Sequence, residues 1–216
     1  VRVGNVIVPE STSHKILGLH VNNTLSWKDH VECELLPSVN KRIGALRRIS
    51  YHIPTDYLPQ IASAIVSSKV RYGLAIYGTV RLANNEPTSF EHRTLQIALN
   101  DAMRIASGRR RSERTPIIEL CQLTGMQSLN RMSAEDKLML VWQSQNVPDS
   151  PLSDIFRKKT SLERQSRAVT RQELVSEAKS ELSRRNIHHQ AVRVWNSTDP
   201  TLRQRGLRPN PRFEAS

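Results

Sequence analysis

The side chains able to do chemistry in this sequence are mostly cations, and they come in groups. Lysine and arginine number 32 against 20 acids, a formal net charge of +12 over 216 residues. The groups are Lys41-Arg42, Arg47-Arg48, Lys69 with Arg71, and Arg109-Arg110-Arg111 with Arg114. Clustered ammonium and guanidinium groups neutralise phosphates and release counterions, so they bind a polyanion with little regard to its sequence. A balance this lopsided points away from an enzyme of small anionic metabolites. Catalytic patterns are absent from the sequence: no two aspartates adjoin to gather Mg²⁺ for nucleotidyl transfer, and there is no glycine-rich phosphate loop, Gly-x-Ser-x-Gly elbow or His-Glu-x-x-His helix. An enzyme in its own right would need a pocket joining Asp29, His30 and a further acid, for which no spacing argues. His188-His189 could chelate a metal, but no cysteine or carboxylate is spaced to complete a shell, and a solvated polar pair is expected. Cys33 and Cys121 read as buried, reduced thiols. Aromatic residues make up 5% of the chain, which favours tracking of a duplex backbone over stacking on unpaired bases.

Those cations need helices to hold them. From Ser26 apolar residues step by three and four through Trp27, Val31, Leu35, Val39, Ile43 and Leu46, leaving Lys41, Arg42, Arg47 and Arg48 off the stripe. Ser26 with Asp29 reads as a capping box, and Pro37 as a kink. A second helix is expected after Pro54-Thr55-Asp56, with Leu58, Ile61 and Ile65 on one face, ending near Tyr72-Gly73. A third carries Leu95, Leu99, Ala102 and Ile105 and stops at Gly108 as a left-handed cap. Thr115-Pro116 opens a short helix closed by Gly125, and a further helix reaches Gln145. Ahead of these, Val1–Val3 and Val6–Val8 around Gly4-Asn5 read as a hairpin, and Lys15–Val21 as a third strand of a small meander. Such a sheet expects a neighbour to cover it, which predicts modest stability for the chain alone. Thr170 with Glu173 opens a charged helix to about Arg185, Ile187–Trp195 is a further apolar patch, and the last ten residues read as loose. The fold class expected is therefore mainly α: a short N-terminal β-meander, a three-helix bundle and a further small helical region. No stretch is long and apolar enough for a bilayer span, which predicts an intracellular protein with nucleus or cytoplasm left open.

Several strings in this order look familiar. His14-Lys15-Ile16-Leu17-Gly18-Leu19-His20-Val21, followed by Leu25-Ser26-Trp27-Lys28-Asp29-His30-Val31, resembles the "KYLGV-x-ID…LSW-x-x-HI" passage of reverse transcriptases from non-LTR (LINE-type, jockey-like) retrotransposons. Lys41-Arg42-Ile43 with Leu46-Arg47-Arg48 is similar to that family's "KRL…LRRL", and Val70-Arg71-Tyr72-Gly73 to its "EYG". Leu95-Gln96 with Arg104-Ile105 and Gly108 resembles its "LQ…ALRLI-x-G", and Thr115-Pro116-Ile117 its "TP". Ala191–Ser197 resembles the closing "RAARLWNSLP", with Thr198-Asp199-Pro200 in place of the usual Leu-Pro and Ile76-Tyr77 where Val-Trp is common.

The resemblance implies the C-terminal part of an RNA-directed DNA polymerase. Residues 1–25 would be end-of-palm strands with Leu17 and Gly18 in a primer-grip-like position, 26–110 a thumb-like bundle, and 111–147 post-thumb helices. A linker would span 148–165, and 166–216 a C-terminal helical region with a loose tail. The Tyr-x-Asp-Asp palm motif, and the Mg²⁺ it would hold, would lie upstream of Val1, so no residue here is expected to be catalytic and no cofactor is expected in this chain. The partners implied are an RNA–DNA hybrid, or the RNA or DNA backbone, and the upstream palm and fingers of the same polyprotein, with no membrane. The alternative class is a free-standing basic helical adaptor for RNA or a ribonucleoprotein.

Overall fold

The structure is a computed structural model, described here for residues 11–83, 86, 88–147, 150–156, 174 and 186–199 and for the backbone of 2–3 and 6–7. It is mainly helical. The chain divides into two compact units, one of Val1–Gly73 with Ser89–Leu129 and one of Leu74–Thr88 with Asn130–Ser216. Each unit therefore takes its residues from two separate stretches of the chain.

In the first unit the strands form two separate antiparallel hairpins. β1 (Arg2–Val3) pairs with β2 (Val6–Ile7), and β3 (Ser13–Ile16) with β4 (Leu19–Asn22). The expected single strand Lys15–Val21 is broken in the middle. Leu17 and Gly18 have φ of 48° and 82°, the pair of positive values that a two-residue type I′ turn requires, so Ile16 faces Leu19 across the turn.

The first long helix begins with a π-type stretch, His30–Leu35, and continues as α1 (Leu36–Ile49). Pro37 has no N–H to return to the preceding turn; the backbone widens there, with Leu36 N–H bonding Val31 O five residues back. The second rod starts after the extended Pro54 as a 3₁₀ turn (Thr55–Tyr57). It runs through α2 (Leu58–Ala62), a second π stretch (Ser63–Ser67) and α3 (Ser68–Arg71). Its buried apolar residues are Leu58, Ala62, Val66 and Val70; of the expected Leu58-Ile61-Ile65 face only Leu58 is among them. A strict four-residue repeat drifts by about 40° per step on a regular helix. The wider π turns bring it back into line, and α1 follows the same spacing with Val31, Leu35, Val39 and Ile43 buried.

Helix α5 (Phe90–Ser107) is capped by the Ser89 hydroxyl, which accepts from His92 N–H, and ends in left-handed Gly108, as its sequence predicts. Its buried Leu95, Leu99, Ala102 and Met103 pack on α1 and α2. Helix α6 (Ile117–Thr124) follows Pro116, closes at left-handed Gly125 and packs on α5. The capping box expected at Ser26 does not form: its hydroxyl accepts from Lys28 N–H and not from Asp29, its own N–H donates to Asn22 Oδ1 at 2.8 Å, and Asp29 accepts from Asn22 Nδ2 at 2.8 Å. Cys33 is exposed and Cys121 half-buried, neither of them in a disulfide; the expected burial is not met.

The second unit contains α4 (Leu74–Tyr77), α7 (Leu129–Asn146, entered from the first unit at Leu129) and α8 (Ile187–Ser197). Its core gathers Val141, Phe156, Leu174, Ala191, Val192 and Trp195, with Leu138 and Leu152 against it. Phe156 lies within the expected linker, 148–165, yet only 4% of its surface is exposed. Asn196 clamps Leu174, accepting its N–H at 3.0 Å and donating to its carbonyl at 3.2 Å. His188 is not a solvated partner of His189: its ring stacks on Phe156 at 5.4 Å. Most of the expected charged helix Thr170–Arg185 and the C-terminal tail lie outside the described residues.

Candidate nucleic-acid interface

The cations singled out from the sequence all belong to the first unit. Lys41, Arg47 and Arg48 are exposed on α1 because the buried stripe takes the opposite positions. They make no salt bridge among the described residues. Arg42, from the same flank, is partly spent: its guanidinium donates to Ile65 O at 2.8 Å and ties α1 to the second rod. Lys69 is half-buried and Arg71 exposed at the end of α3.

The loop after α5 divides its charge. Arg109 lies 3.2 Å from Glu113 and 3.7 Å from Glu119, and Arg111 lies 3.6 Å from Asp101. Glu113 also accepts Arg110 N–H at 2.9 Å. That backbone hydrogen bond, then the one from Arg109, holds its carboxyl below the usual range. Arg110 and Arg114 are exposed and make no salt bridge among the described residues. The run that looks most basic in sequence is thus partly neutralised by its own neighbours; of the exposed cations singled out from the sequence, Lys41, Arg47, Arg48, Arg110 and Arg114 have neither a salt bridge nor a side-chain hydrogen bond among the described residues.

Leu17 and Gly18 form the tip of the β3–β4 hairpin, with the Leu17 side chain 85% exposed. The tip is anchored through its backbone: Tyr72 Oη donates to Leu17 O at 2.7 Å. The body of the hairpin is fixed by a polar joint that the sequence did not disclose. Glu34 reaches Lys15 Nζ at 2.6 Å and His20 Nε2 at 2.7 Å, and His20 N–H donates to His30 Nδ1 at 3.4 Å. Burial holds the His30 imidazole below its ordinary value against the opposing pull of Glu34, while the Lys15 hydrogen bond holds Glu34 low. The signal that could have found it is the match of Lys15 and His20, which face each other across the hairpin, to a glutamate one helical turn after His30.

Among the described residues no group of histidine, cysteine, aspartate and glutamate is placed to hold a metal ion. Among them, too, no helix is long and apolar enough to cross a membrane. No family model, curated protein or solved structure matches the chain.

Proposed function

We propose that this chain is a noncatalytic, nucleic-acid-gripping part of a retroelement-type reverse transcriptase, holding an RNA–DNA hybrid by its backbone while an upstream palm carries the catalytic aspartates. The observation that carries the reading is a group of exposed cations that make no salt bridge among the described residues, Lys41, Arg47, Arg48, Arg110 and Arg114, on one helical unit. A side chain committed to folding is paired or buried; these are held out to solvent on ordered helices and their adjoining loop, where phosphates can reach them. The ordered series of strings from His14 to Gly108 supports the polymerase context, and Leu17-Gly18 at an anchored hairpin tip suits a grip beside the palm.

The test is a salt titration of hybrid binding by the full chain. Wild type is expected to lose affinity linearly in log salt. Reversing Arg47, Arg48 and Arg110 to Glu is expected to weaken binding and to lower the slope by about one for each phosphate no longer neutralised. Unchanged affinity and slope would sink the proposal. Equal weakening on single-stranded RNA with no hybrid binding by wild type would favour the adaptor reading.

A further inference from the structure

The chain has four tyrosines, and the fold uses only some of them. Tyr77 is buried in the second unit, and Tyr72 donates its hydroxyl to Leu17 O. Tyr51 and Tyr57 are different. They flank the turn between α1 and α2, are 82% and 59% exposed, and make no hydrogen bond or ring contact through their side chains among the described residues. Immediately before them in the last turn of α1 stand Arg47 and Arg48, exposed and without salt bridges among the described residues, and His52 is exposed between the two tyrosines. From Leu36 to Tyr57 the only acid is Asp56.

We propose that this turn is a stacking platform for unpaired bases at a single-stranded end or junction of a bound nucleic acid, with Arg47 and Arg48 on the adjoining phosphates. The inference rests on the nucleic-acid reading above and narrows its ligand. In a continuous duplex the faces of the bases are hidden against each other, so an exposed ring gains little there. An unpaired base offers its π-face, and an aromatic side chain with a cation beside it satisfies both halves of a nucleotide. Positive charge alone would have served for a duplex; two solvent-facing tyrosines in the same turn add a group that only an unstacked base can use. Aromatic residues are scarce in the whole chain, but stacking needs them in one place, and the fold puts them there.

The test uses fluorescence anisotropy on the full chain with an RNA–DNA hybrid, blunt or carrying a single-stranded overhang of about six nucleotides. Wild type is expected to bind the overhung probe about tenfold more tightly. That advantage should persist as salt is raised, because stacking is uncharged. The Tyr51→Ala, Tyr57→Ala double variant is expected to lose most of the advantage while keeping blunt-duplex affinity, and Tyr51→Phe to retain it. Both sites are exposed, so circular dichroism is expected to be unchanged. Equal wild-type affinity for both probes, or an advantage that survives the double Ala variant, overturns this inference and leaves the backbone grip standing. Binding of neither probe overturns both.

Discussion

Lys137 in the second unit and Arg47 and Arg48 in the first stand in opposite environments. In the second unit Lys137 is wholly buried. Its ammonium donates to Ala75 O at 3.1 Å, Gly78 O at 2.6 Å and Ser133 Oγ at 3.2 Å, so each of its three protons has an acceptor. Burial lowers its pKa to about 8, with Asp136 opposing. In the first unit Arg47 and Arg48 meet no acceptor through their side chains among the described residues and face solvent. Where a cation closes the last turn of a helix it works as an internal strut; where the fold leaves it without an acceptor on a helix surface its charge faces solvent. Counting charge along the chain does not separate the two, and by sequence position alone Lys137 and Lys41 look alike.

The largest effect that sharpens this contrast is expected at Lys137. Lys137→Met would leave the part-buried carbonyls of Ala75 and Gly78 without their donor, a cost of about 2 kcal/mol in urea unfolding; a loss below about 1 kcal/mol would mean that the ammonium is not the strut. Gly78→Ala is expected to cost about 1–3 kcal/mol by the same measurement, because a Cβ there would meet Leu74 O at 2.5 Å and Ser133 Oγ at 2.6 Å. Neither change touches the first unit's exposed cations, so hybrid affinity of the folded protein should stay within about twofold.

On the other side of the comparison, Arg47→Glu with Arg48→Glu is expected to weaken hybrid binding about tenfold with little change in stability. Arg109→Glu with Arg111→Glu should cost less affinity, since Glu113, Glu119 and Asp101 already share those charges. The reverse ranking would show that pairing within the loop does not decide which cations are available. Arg42→Met is expected to lower stability by about 1 kcal/mol, measured in urea, as its bond to Ile65 O disappears.

The smallest effect concerns pH at the hairpin joint. His30 and Glu34 both have lowered pKa values in the fold, so the unfolded chain binds the extra protons first. Their contribution is complete above pH ~6.5, the ordinary histidine value, and is lost as pH falls, first through His30 and then through Glu34. A proton on His30 Nδ1 would also face the donor N–H of His20. Amide exchange of β3 and β4, corrected for its intrinsic pH dependence, is expected to quicken below that pH while exchange in α5 does not. Uniform behaviour of both would place the sensitivity elsewhere.

Much of this was legible without coordinates. The stripe Val31-Leu35-Val39-Ile43-Leu46 set the buried side of α1 and so placed Lys41, Arg47 and Arg48 outside, because apolar burial leaves charged positions only the solvent side. Gly108 and Gly125 named their helix ends, since few other residues adopt a left-handed cap cheaply. Local patterns determine what depends on a residue and its near neighbours in sequence. Tertiary structure alone decided the rest: that Leu17-Gly18 turns the chain back, that Arg42 is tied to Ile65 O and Arg109 to Glu119, that Lys137 is a buried strut, and that Tyr51 and Tyr57 stay in solvent beside exposed arginines. Each of these is a matter of which polar group finds a partner, and a partner many residues away is set by packing, not by the order of residues along a helix.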